Sequence, residues 1–200
     1  MTLVLGLTGG IASGKSTADA FFLKCNLPVI DSDVIAHDIL NIGQLGYKKV
    51  ISYFGQDILN SDRTLNRKKL GQSVFNDQSK LNVLNQITHP LIFSEIEDKI
   101  TQNKLLKEPV VIVDAPLLFE TKVKNYCDKT LLIAVPEELQ LQRLMTRDRL
   151  NKTEALNRIK TQMPLSQKEK LADYVITNTG TIKELETKLA NLLCELKEED

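Results

Sequence analysis

Five short apolar runs punctuate the chain, at residues 3–7, 28–30, 110–113, 130–135 and 174–176. Each is β-branched or leucine-rich with little polar alternation, as strands covered on both faces require. Helical patterns separate them. The expectation is an α/β fold in which a five-stranded parallel sheet is wound by right-handed crossovers.

One crossover is much longer than a single helix needs. Nearly eighty residues lie between the second and third runs, and their apolar positions recur at helical spacing. The pattern predicts helices over 43–54, ended by Gly55, over 66–75 and over 80–87. Pro90 fits the first turn of a further, separate helix running to about Asn103. A second insertion follows the fourth run. Pro136-Glu137-Glu138-Leu139 opens a helix with Arg143, Arg147 and Arg149 along its end. Asn151 or Thr153 caps another that Pro164 stops, and Ser166 with Glu169 makes a capping box for a third. The last helix starts at Thr181-x-x-Glu184, buries Ile182, Leu185, Leu189, Leu192 and Leu196, and frays in its acidic tail. The chain so divides into a core of 1–36, 104–142 and 171–200, a helical subdomain of 37–103 and a second insertion of 143–170.

Composition narrows the partners. The 26 basic residues balance the 26 acidic ones, and zero net charge argues against nucleic acid as the main partner. Residues 143–170 are locally basic, eight Lys/Arg against three Asp/Glu, which suits a small anionic ligand. Cys25, Cys127 and Cys194 are far apart with no C-x-x-C spacing, so they read as small buried apolar residues in a reducing compartment. No apolar run approaches the ~20 residues that cross a bilayer, and no charged residues precede the glycine loop as in a signal peptide. The expectation is a cytoplasmic protein with no membrane partner.

The candidate chemistry starts with Gly9-Gly10-Ile11-Ala12-Ser13-Gly14-Lys15-Ser16, which fits G-x-x-x-x-G-K-[ST] between a predicted strand and a predicted helix. Gly10, Ile11, Ala12, Ser13 and Gly14 are expected to wrap a triphosphate with inward N–H groups, backed by the positive end of the helix. Lys15 reaches the β- and γ-phosphates, and the Ser16 hydroxyl takes a direct position on Mg²⁺. Asp31-Ser32-Asp33 closes the second run, where ligands of an open parallel sheet sit. A carboxylate there accepts the proton of an attacking hydroxyl or holds a Mg²⁺-bound water; the alternative is an Asp that caps the next helix at Val34. Asp114 ends an apolar strand and is the usual companion of a phosphate loop, positioning Mg²⁺ through water. Arg143 and Arg147, four apart on one helical face, suit the charge on a γ-phosphate; a solvated face is the alternative. His37 reads as structural, and His89, held before Pro90, suits a subdomain junction.

Taken together, the motifs resemble dephospho-coenzyme A kinases over essentially the whole chain. The matching pieces are 7–17, Asp31-Ser32-Asp33, Asn66-Arg67, Val74-Phe75, His89-Pro90-Leu91-Ile92, Asp114-Ala115-Pro116-Leu117-Leu118-Phe119-Glu120, Gln142-Arg143-Leu144 with Arg147-Asp148, Arg158-Ile159 with Gln162, and 172–176 with Asn178. The Asp114–Glu120 segment and the His-Pro pair are far more specific than the glycine loop. The resemblance implies ATP-dependent phosphorylation of the ribose 3′-hydroxyl of dephospho-coenzyme A, a P-loop core, an acceptor subdomain at 37–103 and a mobile lid at 143–170. It implies catalytic roles for Lys15, Asp33 and Arg143. It adds Thr17, Arg143, Arg147 and Asn178 to the ATP site, and places Thr8, Asp33, Arg67, His89, Pro90, Asp114 and Leu117 at the acceptor site. Ala12 stands where such kinases often have glycine, and so small a side chain is expected to leave phosphate binding intact.

Other readings fit less well. Another P-loop kinase of a nucleoside, nucleotide or sugar shares the loop but needs a different acceptor pocket. A GTP-dependent switch lacks its motifs: Asp114-Ala115-Pro116-Leu117 has no D-x-x-G glycine, and Asn151-Lys152-Thr153-Glu154 fails N-K-x-D at its last position. A non-catalytic nucleotide-binding module is disfavoured by the intact Lys15, Ser16, Asp33 and Asp114.

Overall fold

The structure is a computed structural model that describes residues 1–75 and 77–198 of the chain. Its strands are β1 (Leu3–Gly9), β2 (Val29–Asp31), β3 (Val110–Asp114), β4 (Lys129–Ala134) and β5 (Tyr174–Thr177). They form the parallel sheet the apolar runs predict, in the order β2-β3-β1-β4-β5. The central strand is buried almost end to end, which is why its pattern shows no alternation. Register aligns Leu7 of β1 with Asp114 of β3, and Gly9 with Ile133 of β4, so the carboxyl ends of the three middle strands lie level. Such an edge is where an open α/β sheet receives ligands.

Two compact units emerge, one from residues up to Ile30 together with those from Ile100 onward, the other from Asp31–Lys99. In the first, α1 (Lys15–Lys24) and α9 (Ile182–Glu198) cover the sheet. Ala18, Phe22, Leu185, Leu189, Leu192 and Leu196 pack there against Leu5, Leu7, Leu131 and Ile133. Each leucine withdrawn from water contributes roughly 1.5–3 kcal/mol. Ile182, expected in that face, is 64% exposed because it sits in the opening turn, before the helix meets the sheet. Thr181 and Glu184 do close that turn reciprocally: the Thr181 N–H donates to Glu184 Oε2 at 2.8 Å and the Glu184 N–H to Thr181 Oγ1 at 3.3 Å. Glu199 and Asp200, the end of the acidic tail, lie outside the described residues.

Three helices connect β4 to β5: α6 (Glu137–Asp148), α7 (Lys152–Ile159) and α8 (Leu165–Leu171). Asn151, rather than Thr153, caps α7, in a full capping box with Glu154. The box expected from Ser166 and Glu169 does not form. Helix α8 begins one residue earlier, at Leu165, with Pro164 in the cap position and no side-chain cap. Proline already fixes the φ that a helix start needs, so Ser166 falls inside the first turn.

The second unit holds α2 (Ser32–Asp38), α3 (Leu45–Phe54), α4 (Arg67–Phe75) and most of α5 (Gln78–Leu105). Leu40, Val50, Ile58, Leu65, Leu70 and Val74 form its core, with Leu81, Leu84 and Ile87 of α5 packed against it. Pro90 does not open a separate helix, because α5 runs unbroken through it. An interior proline removes one N–H and crowds the carbonyl four residues back, at a cost of ~3 kcal/mol. Packing of Leu84 and Ile87 before it, and of the fully buried Ile96 after it, outweighs that cost. Among the described residues no helix is long and apolar enough to cross a membrane.

Candidate active site

The glycine loop joins β1 to α1 with a backbone that needs small residues. Ala12 has φ 59° and Gly14 φ 99°, and the Ser13 N–H donates to Gly10 O at 3.0 Å. A Cβ on Gly9 would land on Ser13 Oγ, and one on Gly10 would sit 2.6 Å from Gln140 Nε2. The loop is gripped from outside as well. The Ile11 N–H donates to Gln162 Oε1 at 3.0 Å, and Gln140 Nε2 donates to Ile11 O at 2.9 Å. Asn178 Nδ2 donates to Ser13 O at 2.8 Å, and Arg143 Nη1 donates to Asn178 O at 3.0 Å. Arg143 and Asn178, thirty-five residues apart in sequence, therefore meet at the back of the loop.

Lys15 opens α1 and donates to both carboxylate oxygens of Asp114, at 2.6 Å to Oδ1. Asp19, one turn further along α1, lies 3.5 Å from the same ammonium. Asp114 is 2% exposed. Burial pushes its carboxyl up to about 7, although the Lys15 ammonium pulls the other way. Ser16 follows Lys15 and is exposed. Thr17 closes the turn, its N–H donating to Gly14 O at 3.0 Å. Thr8 is fully buried, and its hydroxyl donates to Pro116 O at 3.2 Å, just past Asp114; Leu117 beside it is 44% exposed.

One feature of this loop suits a bound phosphate: the Ser13 hydroxyl is buried with no hydrogen-bond partner, a donor in want of an acceptor. Among the described residues no three His, Cys, Asp or Glu side chains cluster as a metal site.

Arg147 goes elsewhere. It and Arg158 both bind the Asp148 carboxylate, at 2.8 and 2.6 Å, on an exposed face. The hydrogen bond from Arg147 holds the Asp148 carboxyl below the usual carboxylate range.

In the helical unit, Asp31 is the helix cap. Its Oδ1 accepts from the N–H groups of Asp33 and Val34 at 2.7 and 3.1 Å. The chemical role considered for Asp31 gives way to that cap, which leaves Asp33 in the first turn of α2. Asp33, His37 and Arg67 line one cavity of about 430 Å³, together with Asn85, Thr88 and Ile92 of α5. Arg67 Nη2 donates to His37 O at 3.1 Å, so His37 contributes its carbonyl to the guanidinium. His89 and Pro90 are not among the cavity residues. The His89 ring packs on Phe93, centroids 5.6 Å apart, and burial lowers its pKa. Thr88 and Ile92 share one helical face only because α5 continues through Pro90; the helices expected at 80–87 and from Pro90 onward leave Thr88 between them.

The family model for dephospho-CoA kinase matches residues 3–184. A dephospho-CoA kinase of Lactobacillus johnsonii is 56% identical over 98% of this chain and 99% of its own. Among solved structures, the crystal structure of TT1252 from Thermus thermophilus has a TM-score of 0.82 at 32% identity, covering 98% of both chains. Dephospho-CoA kinase from Campylobacter jejuni has a TM-score of 0.69 at 29% identity, again over 98% of both. With its phosphate loop, its Lys15–Asp114 pair and this near full-length likeness, the chain belongs to the dephospho-CoA kinase family.

Proposed function

We propose that this chain transfers the γ-phosphoryl group of ATP to the ribose 3′-hydroxyl of dephospho-CoA, giving CoA and ADP. The observation that carries the reading is the Lys15–Asp114 pair at the end of a Gly-rich loop, in a chain of this family. Gly10, Ala12, Ser13, Gly14 and Thr17 cradle the phosphates, and the unpartnered Ser13 hydroxyl supports that role; Ile11, whose N–H is taken by Gln162 instead of turning inward, shapes the loop beside them. Lys15 exchanges Asp114 for the β- and γ-phosphates when nucleotide arrives. Ser16 would hold Mg²⁺ directly and Asp114 through water. Bound there, Mg²⁺ supplies the charge neutralisation that phosphoryl transfer needs.

Residues 31–99 receive the acceptor. The mixed apolar and polar cavity beside α2 is of ligand size, and Arg67 within it suits a phosphate of the acceptor, since a guanidinium binds phosphate in a bidentate way. Thr8 and Leu117 also bind the acceptor, and His89 with Pro90 shapes the helix that carries Asn85, Thr88 and Ile92 of the cavity. Asp33 orients the 3′-hydroxyl and takes its proton as the oxygen attacks the γ-phosphorus; the bond to the β-phosphate oxygen breaks and ADP leaves. Arg143, anchored on Asn178, stabilises the charge on the transferring group, and Arg147 joins it when the part of the 143–170 lid that carries it, outside the tied stretch 162–168, closes.

Acceptor-dependent ADP release tests this directly. With Mg·ATP, kcat/KM for dephospho-CoA should exceed that for adenosine, AMP or simple sugars by about 10²-fold or more. An equal or greater value for one of those acceptors would overturn the reading.

A further inference from the structure

Glu120, Gln162 and Lys168 have no part in the chemistry above, yet they join into one network. Lys168 is fully buried, an expensive place for an ammonium unless it is paired. It donates to Pro116 O at 2.8 Å and to Glu120 Oε1 at 3.0 Å. The same Glu120 oxygen accepts the Met163 N–H at 3.0 Å. Pro116 O also accepts the Thr8 hydroxyl. The stretch 162–168 is therefore a strap tied at two points to the turn that follows Asp114. At its start, Gln162 reaches the Ile11 N–H, and Leu165 lies against Gly10.

We propose that Glu120 and Lys168 are positioning residues for phosphoryl transfer, holding this strap so that Gln162, with Gln140 opposite, fixes Ile11 from both sides. The proposal rests on the phosphate-loop chemistry argued above. A buried ion pair is weak support for stability, since an apolar side chain of similar length packs as well. Its value here is geometric. With N–H and C=O of Ile11 both engaged, the peptides on either side of it are fixed. Ala12, next in line, sits at φ 59°, a left-handed conformation that a non-glycine residue keeps only where its surroundings over-determine it. The strap is what over-determines it. It also gives the residues around Asp114 and the glycine loop a common anchor, so the two halves of the phosphate site move together.

Two readouts test this. In the unliganded protein, amide exchange at Ile11 should quicken by about tenfold or more in both Gln162→Leu and Lys168→Met, because one removes the acceptor and the other releases the strap that carries it. In turnover, each variant should lower kcat by about 10- to 100-fold while KM for ATP stays within about threefold. Lys168→Met leaves the Glu120 carboxylate without its ammonium and should lower the melting temperature, so kcat is read well below that temperature. The double variant should be no slower than the worse single one. Should Lys168→Met fail to fold, the pair replacement Glu120→Leu with Lys168→Met makes the same comparison, since it removes both charges together and releases both ties of the strap. Unchanged Ile11 exchange, or wild-type kcat in a folded Lys168→Met, would overturn the proposal. A wild-type protein inert toward dephospho-CoA sinks the assigned function instead, and the exchange comparison still decides the strap.

Discussion

Lys15 lies against both carboxylate oxygens of Asp114, although ninety-nine residues separate them. Sheet register brings them together. Leu7 pairs with Asp114, and the glycine loop that follows β1 turns the chain back into α1 at Lys15. The lysine is thus held in place by the Asp114 carboxyl group.

The pair predicts a pH dependence of stability. The Asp114 carboxyl sits at about 7 when folded, against 3.8 as its ordinary value. Between those values the folded protein retains a proton that the unfolded chain has released. The resulting stabilisation is full below the lower value and is lost as pH rises through the upper one. Asp114→Asn removes this component. From about pH 5 to about pH 8, the melting temperature of the variant should rise relative to wild type by several degrees, at roughly 2–4 °C per kcal/mol. His89, whose pKa burial lowers, acts in the opposite sense in both proteins and cancels from the comparison. A constant difference across that range would contradict the assigned shift.

Gly14→Ala should damage the phosphate loop. A Cβ there meets Asn178 Nδ2, the donor to Ser13 O, at a φ of 99° that side chains rarely adopt. The loss should be about 1–3 kcal/mol of stability, with ATP affinity weakened in calorimetric titration. Ala12→Gly points the other way, because it relieves a left-handed alanine. Its melting temperature should equal or exceed that of wild type, and a clear drop would show that the alanine is not strained.

The two arginines of α6 should separate. Arg143→Ala is expected to lower kcat by about 10²-fold, as loss of a group aimed at transition-state charge does. Arg147→Ala should lower it less, since Arg147 is already committed to Asp148. Steady-state kinetics of both variants decide the point; a larger loss at Arg147 would reverse the assignment.

What the sequence revealed, and what it concealed, follows from range. The strands were legible because burial on both faces leaves continuous apolar runs, and the glycine loop because its backbone constrains residue type. Thr181 was legible as a cap, and Asn151 as one of two candidates with Thr153, because their partners lie three residues away. Pro90 misled, since local chemistry says stop while the packing of Ile87 and Ile96 keeps α5 going. Lys168 gave no signal at all. A lysine normally lies in solvent, and only the fold brings Pro116 and Glu120 to it. The sequence points to Asp33, not Asp31, for catalysis and leaves a helix cap as the alternative; the capping bonds belong to Asp31.

In the helical unit, Arg67→Ala should raise KM for dephospho-CoA by about tenfold or more and leave that for ATP nearly unchanged, as loss of a charged hydrogen-bond donor to one substrate does. Asp33→Asn should instead lower kcat with little effect on ATP affinity, because it removes charge and leaves shape. If Arg67→Ala raised only the ATP constant, the two substrates would be placed the wrong way round.

The central claim is which atom receives the phosphoryl group. The protein incubated with Mg·ATP and dephospho-CoA should yield one new phosphomonoester on the ribose 3′-oxygen for each ADP formed, read by phosphorus NMR of the product. ADP release that does not depend on the acceptor, or a phosphoryl group found on any other oxygen, would contradict the account.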